Sequence, residues 1–101
     1  GVTSPVFAPI AASSVVFGPH DPTDDLGTED PRITYDATTQ LFHMFYTCYN
    51  SGKTPQPRIS LCHATTPDPS IASGWTRHGP VGLPDGSKSG ALLLRPATAA
   101  E

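Results

Sequence analysis

LFHMFYTCY, residues 41–49, decides the fold class of this chain. Aromatic and β-branched residues crowd it, and such side chains suit a pleated, partly buried surface. Side chains alternate along a strand. Leu41, His43, Phe45, Thr47 and Tyr49 therefore share one face, and Phe42, Met44, Tyr46 and Cys48 the other. Both faces carry bulky groups, which predicts a strand covered on both sides rather than half solvated.

Working outward, ITYD at 33–36 reads as a partner strand and ATTQ as the turn between the two. NSGKTPQP at 50–57 is a second turn, and RISLCHAT at 58–65 the next strand. Trp75, Thr76 and Arg77 start a short outer strand, and ALLL at 91–94 forms a last one. Upstream, Val6 with Phe7, and Val15, Val16 and Phe17, suggest two more short strands. Pro5, Pro9 and Pro19 exclude one long helix there. Short strands separated by turns suit an all-β sandwich, a barrel or propeller blades. No internal repeat emerges, so the chain holds at most one blade and part of another.

Twelve Pro and nine Gly in 101 residues support this all-β reading, because helix interiors tolerate both poorly. Net charge is -3, and the six basic residues are scattered. That argues against nucleic acid as a partner, since phosphate-backbone binding needs clustered Lys and Arg. No apolar run approaches a membrane span. The N-terminal residues lack a basic stretch followed by an apolar core, so they do not read as a signal peptide. Localisation stays open, with the cytoplasm favoured. Cys48 and Cys62 allow one disulfide without demanding it, and the plain reading is two small buried hydrophobes.

The chemical centre is GTEDPRI, residues 27–33, at the end of an acidic, catalytic-type loop over 20–32. Pro31 biases Asp30 toward an extended conformation. Extended geometry puts Glu29 and Asp30 on opposite sides, and Asp30 with Arg32 on the same side. Glycoside cleavage needs an acid to protonate the departing oxygen and a nucleophile at the sugar carbon. Where phosphate is that nucleophile, basic groups replace the second carboxylate, and the fork of Arg grips phosphate through paired hydrogen bonds. The ordinary alternative is a solvated Asp-Pro turn. Asp21, Asp24 and Asp25 also suggest a cation site, although their spacing lacks a calcium-loop pattern.

GTEDPRITYD, followed by LFHMFYTCYN, resembles the β-mannoside phosphorylases and related hydrolases of glycoside hydrolase family 130. YTCY at 46–49 resembles that family's Tyr-Thr-Ala-Tyr segment, with Cys48 in the alanine position. RISLCHATTPDPSIASGWTRHGPV and SKSGALLLRP resemble its continuation, so the likeness spans roughly residues 17–96. The resemblance implies a five-bladed β-propeller, of which residues 1–101 would supply one to two blades as a partial domain. Asp30 matches the catalytic acid, which protonates the glycosidic oxygen through a mannose hydroxyl. Inorganic phosphate, a co-substrate rather than a cofactor, then attacks with inversion. Arg32 would support the acidic loop or the sugar, and Lys88 matches a basic position near substrate or phosphate. Ser89 stands where the family often has Asp, which weakens the match of Lys88.

The activity implied is that of a β-1,4-mannosyl-oligosaccharide or mannosyl-glucose phosphorylase. A β-mannoside hydrolase of the same family is the alternative. So is a non-catalytic sugar-binding or structural β module, including a degenerate paralogue. No metal or cofactor is expected. Tyr49, beside a polar loop, is the best aromatic candidate for stacking on a sugar. Trp75 reads either as a second one or as the anchor of an outer strand. His20 reads as a surface loop residue, and His43 and His63 as packed strand residues. On its own the chain is expected to be inactive, and to be covered by the rest of a propeller or by another copy of itself.

Overall fold

The computed structural model describes residues 14–20, 22–52 and 58–95. Its framework is one open, antiparallel sheet of four strands in the order β1-β2-β3-β4. These are β1 (Gly27–Asp36), β2 (Leu41–Tyr49), β3 (Ile59–Thr66) and β4 (Thr76–Pro80). A 3-10 turn over Ala72–Gly74 precedes β4.

β2 lies where its aromatic and β-branched residues predicted. β1 differs from expectation at its start. The strand begins at Gly27, inside the stretch expected to be an acidic loop, because Gly27, Thr28 and Glu29 pair with Tyr49, Cys48 and Thr47. Two other expectations fail. Residues 91–94 form no strand, and neither do Val15, Val16 and Phe17. Residues 90–92 instead lie across one face of the sheet. Gly90 abuts the Leu61 side chain so closely that a Cβ there would force Leu61 to shift. Thr34 Oγ1 donates to the Leu92 carbonyl at 3.2 Å, and Leu93 and Leu94 stay exposed. Val6 and Phe7 fall outside the described residues.

The β1–β2 turn is set by Asp36, whose carboxylate accepts from Thr38 N and Thr39 Oγ1, both at 3.0 Å. This side-chain turn leaves Gln40 at φ 59 and brings the chain back antiparallel. The Thr39 hydroxyl and the Thr38 amide hold the Asp36 carboxyl below its usual range.

Met44, Tyr46, Cys48, Cys62 and Ala64 form the core on one face, with Phe17 and Trp75 packed against them. A disulfide joins Cys48 to Cys62, with Cα atoms 5.9 Å apart. The pair is therefore covalent rather than two separate buried hydrophobes. Register explains it: Tyr46 is opposite Cys62 and Cys48 is opposite Ser60, so the two cysteines are diagonal neighbours on the core face.

The segment before β1 closes this face. The Phe17 ring meets Tyr46 and Trp75 edge-on, with centroids 4.9 and 5.2 Å apart, while the Arg77 guanidinium sits 3.9 Å above its centre. Arg77 pairs with the fully buried Asp24 at 2.6 Å and also donates to the Gly18 carbonyl. Asp24 accepts from His20 N at 2.9 Å as well. Asp25 accepts from Ser51 N and Oγ at 2.8 and 2.6 Å, stapling the same segment to the end of β2.

Candidate functional site

β1 is an edge strand, and Glu29 through Ile33 are exposed along it. Its pairing with β2 slips between Glu29 and Arg32, which lie opposite Thr47 and Phe45. Asp30 and Pro31 thus oppose the single residue Tyr46, which makes a β-bulge. Pro suits this position, because a bulge at a sheet edge requires no ladder donor from it.

Asp30 sits at the bulge with φ 50. This corrects the extended conformation expected of a residue before proline. The pairing on both sides of the bulge is fixed, so the extra residue absorbs the mismatch by turning into the left-handed region. Such a conformation is strained for a residue other than Gly, although Asp tolerates it better than most. Arg32 Nη1 donates to the Asp30 carbonyl at 3.3 Å. The guanidinium therefore braces the backbone of the bulge.

Of the sequence-predicted site residues, the structure brings Asp30 and Arg32 together through that contact. Tyr49 ends β2, half-buried, opposite Gly27 on one side and Ile59 on the other. By strand rise it lies roughly 10 Å along β2 from Tyr46, the residue that faces the bulge. Lys88 is exposed in the irregular segment after β4, two residues before Gly90 meets Leu61. No contact joins Lys88 to the bulge.

A cleft of about 150 Å³ opens beside the bulge, lined by Phe17, Thr28, Glu29, Pro31, Met44 and Tyr46. It is smaller than the roughly 300–1,000 Å³ of typical ligand pockets. A wider, shallow groove of about 600 Å³ runs past Phe17, His20, Trp75 and Arg77. Trp75 Nε1 is buried there without a hydrogen-bond partner. Trp75 thus serves as an anchor beside β4 and also lines the groove.

The acidic run is structural where it is described. The Asp24 and Asp25 carboxylates are engaged by Arg77 and by Ser51, and the placement of Asp21 lies outside the described residues. Among the described residues no group of three or more His, Cys, Asp or Glu side chains is arranged to hold a metal ion. No helix among them is long and apolar enough to cross a membrane.

Two features were not read from the sequence. One is the Arg77–Asp24 clamp, whose partners are 53 residues apart. The other is a row of three imidazoles, from His43, His63 and His78, on the face opposite the core. The alternation in β2 and β3 places His43 and His63 on that face. Only the register adds that His43 lies diagonally across from His63, two pairs along, and that β4 brings His78 alongside.

No family model, curated protein or solved structure matches this chain.

Proposed function

We propose that this chain forms one blade of a five-bladed β-propeller enzyme that cleaves β-mannosides, with Asp30 as its general acid. The observation that carries the reading is the strained, exposed bulge at Asp30 on an edge strand. Strained backbone is costly, and it clusters where a side chain must be aimed for chemistry or binding. A four-stranded antiparallel sheet with sequential strand order matches the unit from which propellers are built. With β1 innermost, the bulge would face the central channel of such an assembly.

In the phosphorolytic form, Asp30 gives its proton to a mannose hydroxyl, which passes a proton to the glycosidic oxygen. A phosphate oxygen attacks C1 from the opposite face as the C1–O bond breaks. The products are α-mannose 1-phosphate and the released sugar, with inversion. Arg32 keeps Asp30 in place through the backbone. Tyr49 offers an aromatic face to a sugar, and Lys88 a positive charge to phosphate or a hydroxyl. Hydrolysis by the same acid replaces phosphate with water activated by a second carboxylate.

The small cleft means that further walls must come from elsewhere, either the rest of a propeller or a second copy. Ile33 and Tyr35 on β1, 48% and 47% exposed, are apolar surface that such a neighbour would cover. A cytoplasmic setting goes with reduced thiols, and an oxidising compartment with a persistent Cys48–Cys62 bond.

The test is incubation of the purified protein with β-1,4-mannobiose and mannosyl-glucose, with and without inorganic phosphate. Phosphate-dependent α-mannose 1-phosphate, seen by phosphorus NMR and lost in Asp30→Asn, supports phosphorolysis. Free mannose without phosphate supports the hydrolase. Binding of mannoside with neither product supports the non-catalytic module.

A further inference from the structure

His43, His63 and His78 come from three neighbouring strands and take no part in the proposed reaction. His43 Nδ1 and His63 Nε2 are 3.0 Å apart. Their ring planes are within 7° of parallel, and their centres are 5.2 Å apart. The nitrogens are far closer than the centres, so these rings meet edge to edge. One donates an N–H and the other accepts, and the bond requires at least one of the two to be neutral.

His63 is also stacked between two other rings. Phe45 on β2 lies 4.7 Å from it at 12°, and His78 on β4 lies 4.8 Å from it at 27°. His78 Nε2 is 2.7 Å from Thr65 Oγ1 on β3. His78 therefore ties β4 to β3 twice, through a ring stack and through a hydrogen bond.

β4 needs such ties. Its ladder has four register pairs, interrupted between His63 and Ala64, and one of the four is made by Pro80, which has no N–H. On the far side, β1 contributes Arg32, opposite Phe45, and Asp36, whose carboxylate is drawn electrostatically to His43. The segment after β4 contributes Asp85, which accepts from Ile59 N at 3.0 Å. His63 has no carboxylate of its own among its contacts to offset a charge; its neighbours are Phe45 and two histidines.

We propose that the three imidazoles form an acid-sensitive latch that holds β4 on the sheet at neutral pH and releases it on acidification. When His63 gains a proton, its cation lies against His78 and beside His43. A charged His63 can no longer accept in its N–H···N bond with His43, which then has to be the acceptor. Burial, then His78, then His43 hold the His63 pKa below its ordinary value of 6.5. The sign follows from linkage. The folded form binds a proton less readily than the unfolded form, so this contribution to stability is complete above about pH 6.5 and is lost as pH falls through the folded value.

The test is amide hydrogen exchange of the whole chain at about pH 7.5 and about pH 5.5, corrected for intrinsic rates. Protection of the β4 amides, taken relative to the β1–β2 amides of the same molecule, should fall on the order of tenfold at the lower pH. His63→Phe, which keeps a flat ring in the stack, should lose most of that fall. His78→Asn, at an exposed position, provides a second variant should His63→Phe fold poorly. An unchanged ratio in the parent chain, or the same fall in the folded variants, overturns the latch.

Discussion

β2 and β1 are neighbours in one sheet, yet they are built on opposite principles. Met44, Tyr46 and Cys48 of β2 are almost closed to solvent, with exposures of 3%, 2% and 0%. They pair regularly with β3 on one side, share a disulfide with it, and are covered by Phe17. β1 pairs on one side only, exposes half its length, and breaks register at Asp30 and Pro31. The centre of the sheet supplies the stability that lets its edge hold a conformation the edge would not choose alone. Substitutions in the two regions should therefore separate cleanly into effects on chemistry and effects on folding.

The largest effect expected belongs to the edge. Asp30→Asn keeps size and backbone preference but removes the transferable proton. On the proposed role of Asp30, mannoside turnover by the assembly that completes the site should fall by about 10²–10⁴-fold, the usual contribution of a positioned general acid. Its denaturation midpoint should barely move, since Asp30 is exposed. A large drop in stability with activity retained would reverse the division between the two strands.

Next comes the clamp that closes the core face. Asp24 is fully buried, and Arg77 joins it to Gly18 and Phe17. Removing one partner of a buried pair leaves the other uncompensated, at a cost of about 3–5 kcal/mol. Asp24→Ala should thus lower stability by that amount in urea denaturation. Replacing both partners by apolar residues should cost much less. If the single and double replacements behave alike, the clamp acts through packing rather than charge.

The same contrast explains what was legible in the sequence. The density of aromatic and β-branched residues in 41–49 located β2, and the side-to-side geometry of any strand assigned its two faces. β1 was half hidden. Glu29, Asp30 and Pro31 read as loop chemistry, and locally they are, yet long-range pairing with β2 draws them into a strand. The conformation of Asp30 depends on that pairing and not on Pro31 alone, so a local rule predicted the wrong φ. ALLL at 91–94 forms no strand: Leu92 meets the sheet through its carbonyl, while Ala91, Leu93 and Leu94 are exposed, so an apolar run alone does not specify a strand. Asp24 and Arg77, from separate segments, carry no local signal of each other. Asp30 and Arg32 were legible as a candidate site, but the brace between them runs through the backbone carbonyl, which side-chain reasoning does not show.

A third effect tests the centre directly. The Cys48–Cys62 bond closes a span of 14 residues. A loop of that length is worth about 3 kcal/mol through the unfolded chain, if chain entropy dominates. Cys48→Ala with Cys62→Ala should lower stability by roughly that amount while leaving mannoside turnover per folded molecule unchanged. Loss of turnover in folded protein would mean that the core strand and the bulge are more tightly coupled than their packing implies.

The smallest effect is the sharpest test of strain at the edge. Asp30 adopts φ 50, where a Cβ is crowded and Gly is not. Asp30→Gly should therefore raise stability by about 0.5–1 kcal/mol, the relieved strain being partly offset by the greater freedom of Gly in the unfolded chain. The same change removes the carboxyl and should abolish turnover as fully as Asp30→Asn does. A gain in stability with a loss of activity at one position means that the edge strand holds Asp30 there for its carboxyl, against the preference of its backbone. If Asp30→Gly instead destabilises the sheet, the bulge needs the Asp side chain for its own structure, and its strain carries no functional meaning.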